Sequence, residues 1–388
     1  MRTLSATLVL ALASSLLAPG PTHAAPQEQL PAQSLAAKAA QQAARAEELR
    51  ARAEQGDAAA QLNLGLMYAI GQGVPRDYAQ AAAWYKKAAD QGNSLAQVNL
   101  AWCYAAGLGV PRDAAEAAAW YRKAADQGDA TAQVKLGGLY ASGEGVPRDE
   151  AEAVAWYRRA ADRGDAVGQL RLGLALAGGR GVPQDDAQAV AWFRKAAAQG
   201  KAQAQFMLGV MLEHGRGAAQ DLPDAVRWYR RAAEQEDVTA QLNLGACYEL
   251  GRGVPQDTVQ AVAWYRRAAE QGEARAQANL GNAYASGRGV VQDFTQAAAW
   301  YRKAADQGHA ASQFALGQLY ASALGVQRND VEAYRWFLLA EARAASSEDR
   351  AAYASAREAL SGRMTAVRLN EAKRLAREWT SAFDQKMR

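Results

Sequence analysis

Apolar and polar positions along this chain repeat with a period of thirty-six residues. Leu64, Leu100, Leu136, Leu172, Leu208, Leu244, Leu280 and Leu316 share one register. Trp84, Trp120, Trp156, Trp192, Trp228, Trp264, Trp300 and Trp336 share a second, and Gln61, Gln97, Gln133, Gln169, Gln205, Gln241, Gln277 and Gln313 a third, with no insertion between copies. Self-similarity at this period marks an array of small stacked units, each too thin to bury its apolar face alone. Within the first unit, Gln61, Leu64, Gly65 and Tyr68 fall on one face of a predicted first helix. Ala81, Trp84, Tyr85 and Ala88 stand at i, i+3, i+4 and i+7 and form the apolar stripe of a predicted second helix.

Local signals set the ends of these helices. Asp77 followed by Gln80, Asp113 by Glu116, Asp149 by Glu152 and Asp185 by Gln188 read as N-caps with an acceptor three residues on, each cap worth about 1 kcal/mol. In the connecting "GQGVP", Gly71 and Gly73 supply positive φ, and Pro75 keeps Val74 extended. Gly92 stops the second helix. Gly65 sits inside a helix, where glycine costs about 1 kcal/mol relative to alanine. Its recurrence at Gly137, Gly173, Gly209, Gly245, Gly281 and Gly317 predicts that the paired helix crosses there, Ala101 marking the largest residue the contact tolerates.

Units of the type "AQLNLGLMYAIGQGVPRDYAQAAAWYKKAADQG" resemble the Sel1-like repeat family, a branch of the tetratricopeptide superfamily, over about three quarters of the chain. The resemblance implies an all-α fold: a right-handed α-solenoid of about eight helix-turn-helix repeats, 57–344, that binds other proteins. Some members carry paired cysteines in each unit, and this sequence lacks them. The flanks read as end caps, because an open stack must cover its terminal apolar faces. Residues 33–56 read as an N-terminal capping helix, in which the stretch from Ala43 to Asp57 aligns with a second helix and carries Glu48 in place of the tryptophan, and 345–388 read as capping helices with Leu360, Met364, Leu375 and Trp379 as buried positions.

Ahead of the array, Met1-Arg2, the apolar run from Leu4 to Leu17 and the small residues ending at Ala24 read as a signal peptide, 1–24, followed by a linker, 25–32. An exported protein follows, periplasmic or secreted, with no membrane span, and with no cysteine before Cys103 to take a lipid anchor. Of 44 basic and 40 acidic residues, loss of 1–24 removes only Arg2, so the charge is nearly balanced and points to no nucleic-acid partner.

Candidate chemistry is sparse. The Gly-x-Gly turns share a spacing with phosphate-binding loops, yet they follow helices, lack a GKS/T continuation and recur in every unit, which makes them architecture. Cys103 and Cys247 read as buried free thiols, and His214 and His309 assemble no metal triad or catalytic set. No catalytic residue, metal or cofactor is therefore expected. The basic pairs from Lys86-Lys87 to Arg302-Lys303 suit the helix C-terminal dipole better than a polyanion ridge.

Binding is expected where units differ and, as the resemblance to tetratricopeptide solenoids implies, in a groove lined by the first helices. The candidates are Leu66, Leu95, Trp102, Gln203, Glu213, His214, Glu249, Arg275, Asn282 and Gln318. Trp102 stands outside the tryptophan register and is a natural interface anchor, weighed against packing between neighbouring helices. The fifth unit departs most, with Ala218-Ala219 for Val-Pro, Pro223 at a helix start and Glu236 at the stop glycine. The expected function is an exported scaffold for protein or peptide partners. The alternatives are a binder of cell-wall material or polysaccharide machinery, or a hydrolase of such substrates.

Overall fold

A computed structural model of the chain describes residues 32–387; the expected signal segment, 1–24, and all but the last residue of the expected linker lie outside them. Nineteen helices and no strand occur among the described residues. Helix α1 (Ala32–Glu54) precedes the helix pairs α2/α3 (Ala58–Ile70, Tyr78–Asp90), α4/α5 (Ser94–Ala106, Ala114–Asp126), α6/α7 (Ala130–Ser142, Glu150–Asp162) and α8/α9 (Ala166–Gly178, Asp186–Ala198). The pairs α10/α11 (Ala202–His214, Leu222–Glu234), α12/α13 (Val238–Leu250, Thr258–Glu270), α14/α15 (Ala274–Ser286, Phe294–Asp306) and α16/α17 (Ala310–Ser322, Asp330–Ala342) follow, then α18 (Ser347–Ser361) and α19 (Ala366–Lys386). The chain forms two compact units, one up to Asp185 and one from Asp186, and in each the consecutive helices pack on one another.

The aspartate caps form as the spacing predicts: Asp77 Oδ1 accepts from the N–H groups of Ala79 (2.9 Å) and Gln80 (3.0 Å). The expected return bond from Gln80 is not the one that forms. The Asp77 N–H donates instead to the Tyr68 carbonyl, 2.9 Å, so the connecting turn rather than a side chain satisfies it. The same bond joins Asp113 to Tyr104, Asp149 to Tyr140, Asp257 to Tyr248 and Asp293 to Tyr284.

The paired helix does pass close at Gly65, through one ring and one backbone carbonyl, the Ala81 oxygen, which a Cβ would meet at 3.2 Å. A Cβ there would lie 2.6 Å from Cε1 of Tyr85, so the second-helix tyrosine lies flat on the first helix where its side chain is missing. Tyr157 on Gly137, Tyr229 on Gly209, Tyr265 on Gly245, Tyr301 on Gly281 and Phe337 on Gly317 repeat the contact. Apolar burial of a ring of this size offsets the roughly 1 kcal/mol that a mid-helix glycine costs.

The second turn glycine does more than turn. Gly109, φ 72°, lies against the backbone of Tyr78 and Ala79 in the preceding repeat, and a Cβ would be 2.5 Å from the Ala79 nitrogen. Gly145 meets Ala114 and Ala115 in the same way, and Gly289 meets Thr258. Backbone thus touches backbone between successive repeats at the N-terminus of each second helix.

The glutamine register is a buried polar ladder. Each Gln donates from Nε2 to a carbonyl eight residues back, at the end of the previous second helix, from 2.9 Å for Gln61 to Ala53 up to 3.4 Å for Gln169 to Ala161. Its Oε1 then accepts from a glutamine thirty residues on: Gln91 to Gln61 (2.7 Å), Gln127 to Gln97 (2.8 Å), Gln271 to Gln241 (2.9 Å). Arg163 and Arg343 stand where Gln133 and Gln313 need such a partner, and the buried Oε1 of each has none among the described residues.

Both ends are covered. In α1, Ala46, Leu49 and Ala53 are buried with Leu64, Met67 and Trp84, and Arg50 donates to the Tyr68 hydroxyl, 2.8 Å, as Arg266 does to Tyr284, 2.9 Å. Helix α1 is therefore a second helix without a first. At the other end Trp336, fully buried, meets Trp379 edge-on at 6.2 Å, and Trp379 stacks on Phe383 at 4.9 Å. Leu360 is buried as expected, whereas Met364, Leu375 and Trp379 are half-buried.

Two outcomes test this packing. Gly145→Ala should destabilise by about 3 kcal/mol, and Gly164→Ala, equally left-handed (φ 86°) but with open space around it, by only about 1 kcal/mol, both read by chemical denaturation. Arg163→Gln, which supplies the missing donor to Gln133, should stabilise by about 1 kcal/mol in the same assay.

Candidate partner-binding surface

On each first helix the positions left open to solvent are the first-repeat residues Ala59, Asn63, Leu66 and Ile70 and their counterparts, spaced i, i+4, i+7 and i+11 along one face. In the unit up to Asp185 this face carries Leu66 and Trp102, both half-buried, and Leu95, exposed. Trp102 packs edge-on against Tyr78 at 6.5 Å. In the unit from Asp186 it carries the exposed Gln203, His214, Arg275, Asn282 and Gln318, with Glu213 and Glu249 half-buried beside them.

Three of these ten side chains are tied to the second helices. The Tyr229 hydroxyl donates to Glu213 Oε2 at 2.6 Å, Tyr265 to Glu249 Oε2 at 2.7 Å, and Tyr301 to Asn282 Oδ1 at 2.7 Å. The other oxygen of each glutamate faces an arginine of the next turn, Arg252 at 3.6 Å and Arg288 at 3.4 Å. Asn243 and Asn279 complete the surroundings of Tyr229 and Tyr265. Burial, and next the glutamate each one meets, push both phenols far above their usual range. His214 uses Nδ1 on the Val210 carbonyl, 2.9 Å, and His309 caps α16 through the Ser312 N–H. Burial, and then Arg275, lower the pKa of His309.

Sequence reasoning missed the column at Asn63, Asn99, Lys135, Arg171, Met207, Asn243, Asn279 and Ala315. Its signal was a polar residue between two buried apolar ones, as Asn63 stands between Leu62 and Leu64. It also missed the role of the second basic residue of each pair. Lys87 lies over the Trp84 ring at 3.8 Å and Lys123 over Trp120 at 3.6 Å, while Lys86 pairs with Asp90 at 2.8 Å. In the fifth repeat Glu236 holds φ 63°, and its carboxylate accepts from Gln241, 3.1 Å, and Gln271, 3.3 Å. The departure from glycine there adds a rung to the ladder.

Among the described residues no group of three or more His, Cys, Asp or Glu is placed to hold a metal, and no helix is long and apolar enough to cross a membrane. Cys103 and Cys247 are free and buried. Burial pushes the Cys103 thiol up to about 12 and the Cys247 thiol up to about 11. Native protein at pH 8 should therefore resist a thiol reagent that labels both cysteines once guanidinium unfolds the chain. Because both pKa values are raised on folding, the stability linked to them is complete below the ordinary thiol pKa and is lost as pH rises through 11 to 12.

The Sel1 repeat model matches eight consecutive segments, 58–93, 94–129, 130–165, 166–201, 202–237, 238–273, 274–309 and 310–343. Among solved structures, a Sel1 repeat protein from Oxalobacter formigenes is similar at 34% identity and TM-score 0.62, covering 89% of this chain and 99% of that one. A protective antigen of uropathogenic Escherichia coli strains, displaying an SLR fold, is similar at 35% identity and TM-score 0.58, covering 89% of this chain and 82% of that one. A comparison with curated proteins finds no match. Eight matched segments that coincide with the eight helix pairs place the chain in the Sel1 repeat family.

Proposed function

We propose that this protein is an exported, non-catalytic scaffold that holds partner proteins or peptides on the exposed face of its first helices. Sel1 repeat arrays are typically scaffolds for protein–protein interaction, and this chain has their fold. The observation that carries the reading is the division of labour between registers. Leucine, glutamine, glycine and tyrosine positions are spent on packing, while the open face changes from repeat to repeat: Leu66, Trp102, Gly138 and Leu174 occupy one position in the first four units. Such variation on a rigid support is what selective recognition needs, because each repeat then offers its own contact.

Trp102 is the favoured anchor, since it is half-buried on that face and supported by Tyr78. Trp102→Ala should weaken partner binding about tenfold, read by cross-linking through a photoreactive residue placed at Leu95, with little change in the thermal midpoint. Retention of glycan fragments and no protein by wild type would overturn the scaffold reading. Export is supported by the segment ending at Ala24, and mass spectrometry of the mature protein should find Ala25 at its N-terminus.

A further inference from the structure

The same tyrosine meets opposite surroundings in different repeats. In the fifth and sixth, Tyr229 and Tyr265 donate to Glu213 and Glu249. The asparagine column contributes Asn243 and Asn279, and Arg252 and Arg288 approach each carboxylate from the next turn. Subtracting whole repeats maps this set onto Tyr157 in the third repeat, and the residues found there are Ala141 in place of the glutamate, Arg171 in place of the asparagine, and Arg180 in place of the turn arginine. The acid is gone, one cation is kept and a second is added.

Tyr157 is 9% exposed, and where Tyr229 and Tyr265 meet a first-helix glutamate it meets Ala141, which offers its hydroxyl no acceptor. It opens toward Gly138, where a Cβ would stand 4.0 Å from it, so the space a side chain fills in other repeats is free. Arg171 and Arg180 both act on Tyr157 electrostatically, and both are exposed with no ion-pair partner among the described residues; Glu150, paired with Arg148 at 2.6 Å, acts on Tyr157 in the opposite sense. Lys135 and Arg171 are the only charged residues on the first helices α2, α4, α6 and α8. A hydroxyl at the edge of the core, with two cations near it and the neighbouring acid Glu150 engaged by Arg148, suits an acceptor that carries negative charge.

We propose that Tyr157, Arg171 and Arg180 form a binding site for a carboxylate of an Asp or Glu side chain on a partner protein, the partner supplying the group that Glu213 and Glu249 supply internally. The choice of carboxylate follows from the molecule's own filled copies, where a glutamate accepts from the equivalent tyrosine at 2.6 and 2.7 Å and faces the equivalent arginine. The site rests on the scaffold reading above and names the chemistry of one contact within it.

The test uses the mature chain and a fluorescein-labelled, C-terminally amidated Ser-Gly peptide carrying a Glu-Glu pair, followed by anisotropy. Two control peptides carry Gln-Gln, one amidated and one with a free C-terminal carboxylate. The Glu peptide should bind wild type and the amidated Gln peptide should not. Arg171→Ala, Arg180→Ala and Tyr157→Phe should each weaken binding several-fold or more. Ala141→Glu, which refills the site from within as in the fifth and sixth repeats, should abolish it without lowering the thermal midpoint, whereas Lys86→Ala, outside the site, should leave it unchanged. Equal affinity for Glu and Gln peptides, or undiminished binding by Ala141→Glu, would overturn the site, as would preference for the free C-terminal carboxylate over the Glu pair. Those results leave cross-linking at Leu95 and its dependence on Trp102 untouched, so failure of this site and failure of the scaffold reading are told apart.

Discussion

Two stretches of main chain meet in this protein with no room for a side chain between them. At the second glycine of each connecting turn, the backbone lies on the first residues of the second helix one repeat earlier, as Gly109 does on Tyr78 and Ala79. No side chain intervenes, so the spacing of successive repeats there is set by peptide groups, which are the same everywhere. Side chains elsewhere must fit that spacing. This accounts for small alanines on the second helices, for a ring laid flat on Gly65, and for a period that never changes by a residue.

A stack held this way leaves polar groups at each junction, and the structure satisfies them locally. The carbonyls at the end of one second helix accept from the next repeat's glutamine, and that glutamine accepts from a glutamine one helix later. Aspartate caps and the aspartate's own N–H close the other end. Where the rule breaks, the neighbourhood changes with it: Arg163 leaves Gln133 Oε1 bare, and Glu236 in a left-handed conformation adds a second acceptor for Gln241 and Gln271.

The helix pairs, their caps, the turn glycines and the buried thiols were legible in the sequence, because each depends on residues near one another in the chain or repeated in register. Other features depend on contacts that a register does not encode. Nothing in the spacing of Lys87 and Trp84 distinguishes a cation stacked on a ring from one suited to the helix dipole. Glu213 and Glu249 looked like open groove residues, and only the fold shows that a tyrosine sixteen positions on reaches them. The column from Asn63 to Ala315 was hidden by its position between buried leucines, and it is this column that changes the charge around Tyr157.

Every bond that ties one repeat to another in either compact unit runs to an immediate neighbour. The glutamine ladder spans thirty residues, the turn glycine thirty-one, and the arginine–tyrosine bonds eighteen. None skips a unit. A whole repeat is thus close to an interchangeable part: inserted or removed as thirty-six residues, it presents the same backbone contact at both of its ends, and the same donors and acceptors wherever the glutamine register and its partner are kept. A lineage of such arrays can lengthen or shorten by gene duplication and loss while its end helices stay as they are, and each added copy brings a first-helix face free to acquire a new contact.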